Sequence, residues 1–162
     1  MIDLSDYKSY NGLLEDKTKM SVIKNYTVMP FPDGLSIAQF YKQNKNRCII
    51  ASVGQASPSL GVGGYRAALY FNGYMRTLTK SGIKTLTPSY PYIQGLIDAA
   101  RLVKRPCEAV ILTATEAGFT DTSHPEHKYC EMAVDALLKA GCSVTVVVCR
   151  GKSGELSRFI GV

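Results

Sequence analysis

The chain has 162 residues, 46% of them hydrophobic and 20% charged, which fits one globular domain with an ordinary core and excludes a wholly disordered or fibrous chain. No run of about 18 apolar residues exists to span a bilayer. The acidic start, Met1-Ile2-Asp3-Leu4-Ser5-Asp6, lacks the basic-then-apolar pattern of a signal peptide, which predicts a cytoplasmic protein.

Net charge is +6, and its distribution carries more information than its sum. Residues 47–105 hold eight Lys/Arg and a single acid, Asp98, for a local balance of +7; residues 1–46 balance at +1 and residues 106–162 at −2. A one-sided basic field favours polyanions such as nucleic acid or an acidic protein surface. Five cysteines, Cys48, Cys107, Cys130, Cys142 and Cys149, are odd in number and form no Cys-x-x-Cys pair. They read as buried reduced thiols, because a disulfide framework or a zinc site calls for closer, paired spacings.

Residues 1–46 read as an extension. Asp3 to Lys19 is polar and mixed in charge, Ser21 to Met29 has the residues of a strand, Pro30 to Gly34 is a turn, and Leu35 to Gln43 is a short helix with Ile37, Phe40 and Tyr41 on one side. The main domain spans 47–162. Cys48 to Val53 is a β-branched apolar run suited to a buried strand. A glycine-bearing loop from Gly54 to Gly64 leads to the alternating segment Tyr65 to Phe71, then Asn72-Gly73, then the return strand Tyr74 to Lys80 and a turn at Ser81-Gly82. Asn-Gly between alternating segments predicts a type I′ hairpin. After Pro91, the apolar positions Ile93, Leu96, Ile97, Ala100 and Val103 mark one face of a helix.

Glu108 to Thr113 is a continuous apolar run, as a strand buried on both faces requires. Ser123 with Glu126 three residues on, and Pro125 between them, predicts a capping box. It opens a helix with Tyr129, Met132, Ala133, Ala136, Leu137 and Ala140 on its apolar face, ended by Gly141. Val144 to Cys149 is another buried strand, residues 150–154 are a basic loop, and Glu155 to Ile160 is a last short helix. The order β-β-β-α-β-α-β-α predicts an α/β fold: a mixed five-stranded sheet with helices on both faces, plus the extension.

That order, with the segments Gly63-Gly64-Tyr65-Arg66-Ala67-Ala68-Leu69, Gln94 to Leu102 and Val110 to Glu116, resembles the ribonuclease H domain over roughly residues 47–160. The resemblance implies a nuclease fold that places four carboxylates around two divalent metals. Two hard cations about 4 Å apart need that density of anionic oxygen. Under the family's pattern the four positions fall on Val53, on Tyr92 or Tyr90, on Thr113 or Thr115, and near Gly154 or Glu155. An apolar side chain at Val53 ligates nothing, and Glu116 and Glu155 are too scattered for more than a weak single-metal site. The resemblance therefore implies the scaffold without the chemistry, with no metal and no cofactor.

Other constellations have simpler explanations. His124-Pro125-Glu126-His127 with Cys130 puts ligands at helix spacing, but helix initiation accounts for it. Gly61-Val62-Gly63-Gly64 leads into a strand and not a helix, unlike a phosphate cradle. No Gly-x-Ser-x-Gly turn exists, and Cys149 lies in a buried strand. On alternating strands Arg66 and Tyr70 share a side, as do Tyr74, Arg76 and Lys80. Basic heads beside tyrosine rings suit phosphates with some stacking. Lys84, Arg101, Lys104, Arg105, Arg150 and Lys152 would extend that footprint. Two functions compete: a non-catalytic binder of RNA or an A-form-like duplex, and a protein-docking module using residues 1–46 or an exposed strand edge for a partner or a second copy. A metal-dependent nuclease with relocated carboxylates is the remaining alternative.

Overall fold

The computed structural model describes residues 21–161 apart from 24 and 58–60; the polar segment expected from Asp3 to Lys19 lies outside the described residues. The chain forms β1 (Ser21–Ile23), β2 (Tyr26–Pro30), α1 (Ile37–Gln43), β3 (Cys48–Ser57), β4 (Val62–Phe71) and β5 (Tyr74–Lys84). It continues with α2 (Tyr90–Ala100), β6 (Glu108–Thr113), α3 (Ala117–Thr120), α4 (His127–Lys139), β7 (Ser143–Val148) and α5 (Ser153–Phe159). All the strands join one sheet in the order β1-β2-β7-β6-β3-β4-β5.

The β3-β4-β5 meander is antiparallel, while β6 and β7 run parallel to β3, as their apolar runs predict. Among the described residues the sheet has seven strands, two more than the expected five, because β1 and β2 of the extension join it. Tyr26 to Pro30 pairs in parallel with Val144 to Val148, and β1 closes that edge. The reason is local: β7 is apolar on both faces and needs a hydrogen-bonded neighbour on each side.

Helices cover both faces. On one, α2 and α4 bury Ile50, Tyr65, Ala67, Ile93, Leu96, Ile97, Leu137 and Val146, joined by Tyr26 and Val28 of β2. On the other, Ile49, Ala51, Ala68, Tyr70, Val110 and Leu112 pack with Phe31, Ile37, Phe40, Tyr41 and Leu156. A capping box at Ser36 and Gln39, not foreseen, starts α1.

The Asn72-Gly73 hairpin forms as expected, with φ of 51° and 85° and Phe71 paired to Tyr74. The turn at Ser81-Gly82 does not. Gly82, at φ 70°, instead makes an irregularity in a strand that continues to Lys84, and the register shifts between Gly63 and Tyr65. Gly54, Gly63 and Gly64 of the expected loop lie within strands, and at two of them neighbouring backbone comes too close for a side chain. A Cβ on Gly54 would sit 2.7 Å from the Tyr92 backbone, and one on Gly64 2.7 Å from the Lys80 carbonyl oxygen.

The Ser123–Glu126 capping box is also replaced. The helix starts at His127, and Ser123 donates to Asp121 through both N–H and hydroxyl. Glu126 is only 6% exposed and reaches the loop before α2, accepting from Thr87 Oγ1 at 2.6 Å and Ser89 N–H at 2.9 Å. A carboxylate with two donors at the start of another helix binds the two helices together.

Gly95 lets α2 lie close on the sheet: a Cβ there would be 2.2 Å from Ser52 Oγ and 2.8 Å from the Tyr65 ring. Gly→Ala in a helix ordinarily gains about 1 kcal/mol. Here Gly95→Ala loses about 1–3 kcal/mol net by overpacking, read as a lower urea midpoint at unchanged m-value.

Candidate functional site: a neutral cleft and a divided basic surface

The parallel pairing of β3 with β6 ends at Ala51 and Leu112, near where α2 begins and α5 passes, the place where open α/β sheets characteristically leave a crevice. A cleft of about 510 Å³ lies there. Val53, Tyr92 and Thr115 all line it, together with Ser89, Leu156 and Ser157. Three of the four positions singled out in the sequence are thus brought together. No carboxylate lines the cleft among the described residues.

Tyr92 occupies it structurally. Its hydroxyl donates to Thr113 Oγ1 at 2.6 Å and accepts from the Ala114 N–H at 3.1 Å. Thr113 Oγ1 in turn accepts from the Thr115 N–H at 3.1 Å and donates to the Thr115 carbonyl at 3.3 Å. A phenol reaching across from α2 therefore satisfies the polar groups at the end of β6. Burial pushes the Tyr92 phenol well above its ordinary 10.0, so it is neutral at physiological pH.

The acids nearby are engaged elsewhere. Glu155, the fourth position, does not line the cleft; it accepts the Ile37 N–H at 2.6 Å at the start of α1 and pairs with Lys152 at 3.6 Å. Glu116 pairs with Arg150. Among the described residues no three His, Cys, Asp or Glu side chains form a group able to hold a metal ion. His127 Nδ1 lies 2.9 Å from the Gly118 carbonyl, His124 Nδ1 accepts from the Glu126 N–H at 3.1 Å, and Cys130 is buried. Burial raises the Cys149 thiol to about 12, which makes it a poor nucleophile.

The expected basic footprint does not lie on one surface. The hairpin register pairs Arg66 with Thr79 and Leu69 with Arg76, so the Arg66–Tyr70 side and the Tyr74–Arg76–Lys80 side are opposite faces of the sheet. Tyr70 is 8% exposed and meets the Tyr41 ring edge-on at 4.6 Å, so its ring is a core element and not a stacking platform. Arg66 turns toward α5, donating to the Ile160 carbonyl at 2.8 Å. Arg150 and Lys152 sit beyond β7 with acidic partners, and Lys152 also lies over the Phe31 ring.

What remains lies on the side of the sheet covered by α2 and α4. Tyr74, Arg76 and Lys80 stand along the outer strand, with Tyr74 79% exposed. Arg101 and Lys104 line a groove of about 600 Å³ between the ends of α2 and α4, with Lys139, Asp135 and Met132. Arg105 is exposed on the following turn. Lys84 is exposed too, but it directly follows Ile83, which packs into the core under α2 and α4, so alternation points Lys84 to the opposite face. Among the described residues none of Arg76, Lys80, Lys84, Arg101, Lys104 and Arg105 takes part in an ion pair. Lys139 escaped the sequence reading because it lies in the segment of net acidic balance; its place in the last turn of a helix beside that of Arg101 was not legible from charge counts.

No protein-family model matches the chain, and no curated protein sequence does. Solved structures do. The ribonuclease H1 of the halophilic archaeon Halobacterium salinarum superposes with a TM-score of 0.50 at 14% identity, over 67% of this chain and 90% of that one. An N-terminal ribonuclease H domain from Mycobacterium tuberculosis, solved as a fusion with maltose-binding protein, gives 0.42 at 17%, over 69% and 88%. The first of these fixes the fold: it is ribonuclease H-like.

Buried phenols and thiols give this fold a defined alkaline limit. Burial raises Tyr26 to about 12 from 10.0, Tyr92 further, and Cys130 to about 12 from 9.0. The unfolded chain loses these protons first, so stability is complete below about pH 9 and falls as pH rises through 9–12. Tyr92→Phe strips the hydroxyl from the Thr113 network and costs about 1–2 kcal/mol at pH 7. It also removes part of the alkaline slope, which urea unfolding at pH 7, 9 and 10.5 resolves.

Proposed function

We propose that this chain is a non-catalytic, ribonuclease H-like binder of nucleic acid, of RNA or a duplex with A-like geometry, held through backbone phosphates. The supporting observation is the group of cations on the α2–α4 side that have no acidic partner among the described residues, Arg76 and Lys80 with the exposed Tyr74 among them. Flexible unpaired cations release counterions when they meet phosphates, and a nearby ring adds sugar or base contact. The proposed contacts are Tyr74, Arg76, Lys80, Arg101, Lys104 and Arg105; Lys84 is left out because it faces the other side of the sheet. Arg66, Tyr70, Arg150 and Lys152 are left out, because each already has a structural partner.

The absence of catalysis rests on residue identity. With Val53, Tyr92 and Thr115 at the cleft and Glu155 turned to α1, the ligand density for two divalent cations is lacking. The same substitutions remove charge that would repel a passing phosphate backbone. In the docking alternative residues 1–46 hold a partner, but residues 26–43 are built into the sheet and core.

Fluorescence anisotropy with labelled single-stranded RNA, double-stranded RNA, RNA–DNA hybrid and duplex DNA tests the reading. Affinity should fall at least about tenfold for a fourfold rise in salt. Arg76→Ala with Lys80→Ala should weaken every ligand and lower the salt slope by about 1 per cation removed. Lys42→Ala, on the exposed side of α1, should change neither. Binding that is absent at low salt, or indifferent to the double substitution, contradicts the assignment.

A further inference from the structure

Three of the five cysteines meet at one point, although 59 and 35 residues separate them. Cys48 is the first residue of β3, Cys107 directly precedes β6, and Cys142 directly precedes β7. These strands are parallel neighbours in the order β7-β6-β3, so their starts bring the three side chains to the end of the sheet away from the cleft. Cys107 Sγ lies 2.7 Å from Cys48 Sγ and 3.5 Å from Cys142 Sγ. Cys48 and Cys142 are buried, whereas Cys107 is partly exposed. Cys130 and Cys149 are buried elsewhere in the core.

A tetrahedral zinc with Zn–S bonds of about 2.3 Å holds its sulfurs about 3.8 Å apart. The Cys48–Cys107 pair is closer than that, and a sulfur–sulfur bond needs only about 2.05 Å. The arrangement suits bond formation better than metal binding. It has a partly exposed cysteine in the middle and a buried one on either side.

We propose that Cys107 is an oxidation site, which under a hydroperoxide closes a disulfide with Cys48. The Cys107 thiolate attacks the peroxide, the O–O bond breaks, and a sulfenic acid and one water form. The Cys48 sulfur then displaces the sulfenic hydroxyl as a second water and yields the S–S bond. In sum two thiols and one hydrogen peroxide give one disulfide and two waters. Burial pushes the Cys107 thiol up to about 11, so the reaction is slow at neutral pH and quickens about tenfold per pH unit between 7 and 9, following the thiolate fraction. The Cys142 thiol also donates to the Arg105 carbonyl at 3.6 Å, so the cluster touches the basic turn after α2. The proposal is independent of the function proposed above.

The test is treatment of the folded wild-type protein with hydrogen peroxide, followed by intact-mass measurement and non-reducing peptide mapping. The expected product has lost two hydrogens, carries a Cys48–Cys107 link and is restored by dithiothreitol. Cys107→Ser should leave no link, and Cys48→Ser should move it to Cys107–Cys142. Mapping of the wild-type needs no variant, so a substitution that folds poorly leaves the test intact. A reduced wild-type after treatment, a link that survives Cys107→Ser, sulfinic acid at Cys107 without a link, or a rate indifferent to pH each overturns the proposal.

Discussion

The structure depends on the parallel pairing of β3, β6 and β7, which bury apolar residues on both faces where they pair. Because both faces are buried, both need helices; because the strands run the same way, their ends collect the loops at two opposite poles. One pole holds the cleft and the other holds the thiol cluster. β2 enters the sheet for the same reason, since β7 would otherwise present a row of unpaired backbone groups beneath α5 and α4.

At the cleft pole, the described side chains that line the pocket are neutral. Val53 stands within β3, two residues beyond Ala51, the last residue that pairs with β6, and its apolar side chain packs toward the second core cluster with Leu156. Tyr92 crosses from α2 to the end of β6 and supplies there, from a neutral group, the hydrogen bonds that the backbone requires. The carboxylates in the vicinity organise other elements: Glu126 the start of α2, Glu155 the start of α1, Glu116 the Arg150 loop. Their side chains act as caps and ion-pair partners, the ordinary structural roles of acids at helix starts.

The elements themselves were legible wherever local physics decided them. The 3.6-residue spacing of Ile93, Leu96, Ile97 and Ala100 marks α2, Asn72-Gly73 marks its hairpin, and the run Glu108–Thr113 marks a central strand. Features set by distant neighbours were not legible. Gly54, Gly64 and Gly95 read as loop or helix glycines, but each is small because another element's backbone or side chain lies against it. Glu126 completes a convincing capping box in sequence, yet its carboxylate is drawn to donors 37 and 39 residues away. Alternation correctly grouped Arg66 with Tyr70 and Tyr74 with Arg76, but only the inter-strand register tells which face each pair occupies. The thiol cluster was hidden for the same reason, as its members are close only through the order of the strands.

The central proposal is that the chain binds nucleic acid through its basic surface and does not cleave it. The direct measurement is incubation of the protein with a labelled RNA–DNA hybrid in millimolar Mg2+ or Mn2+, with the products resolved on a denaturing gel and the bound fraction measured in parallel. The account predicts intact hybrid at every metal concentration while binding persists. Metal-dependent cleavage that co-purifies with the folded chain and disappears on substitution of Glu116 or Glu155 would contradict it.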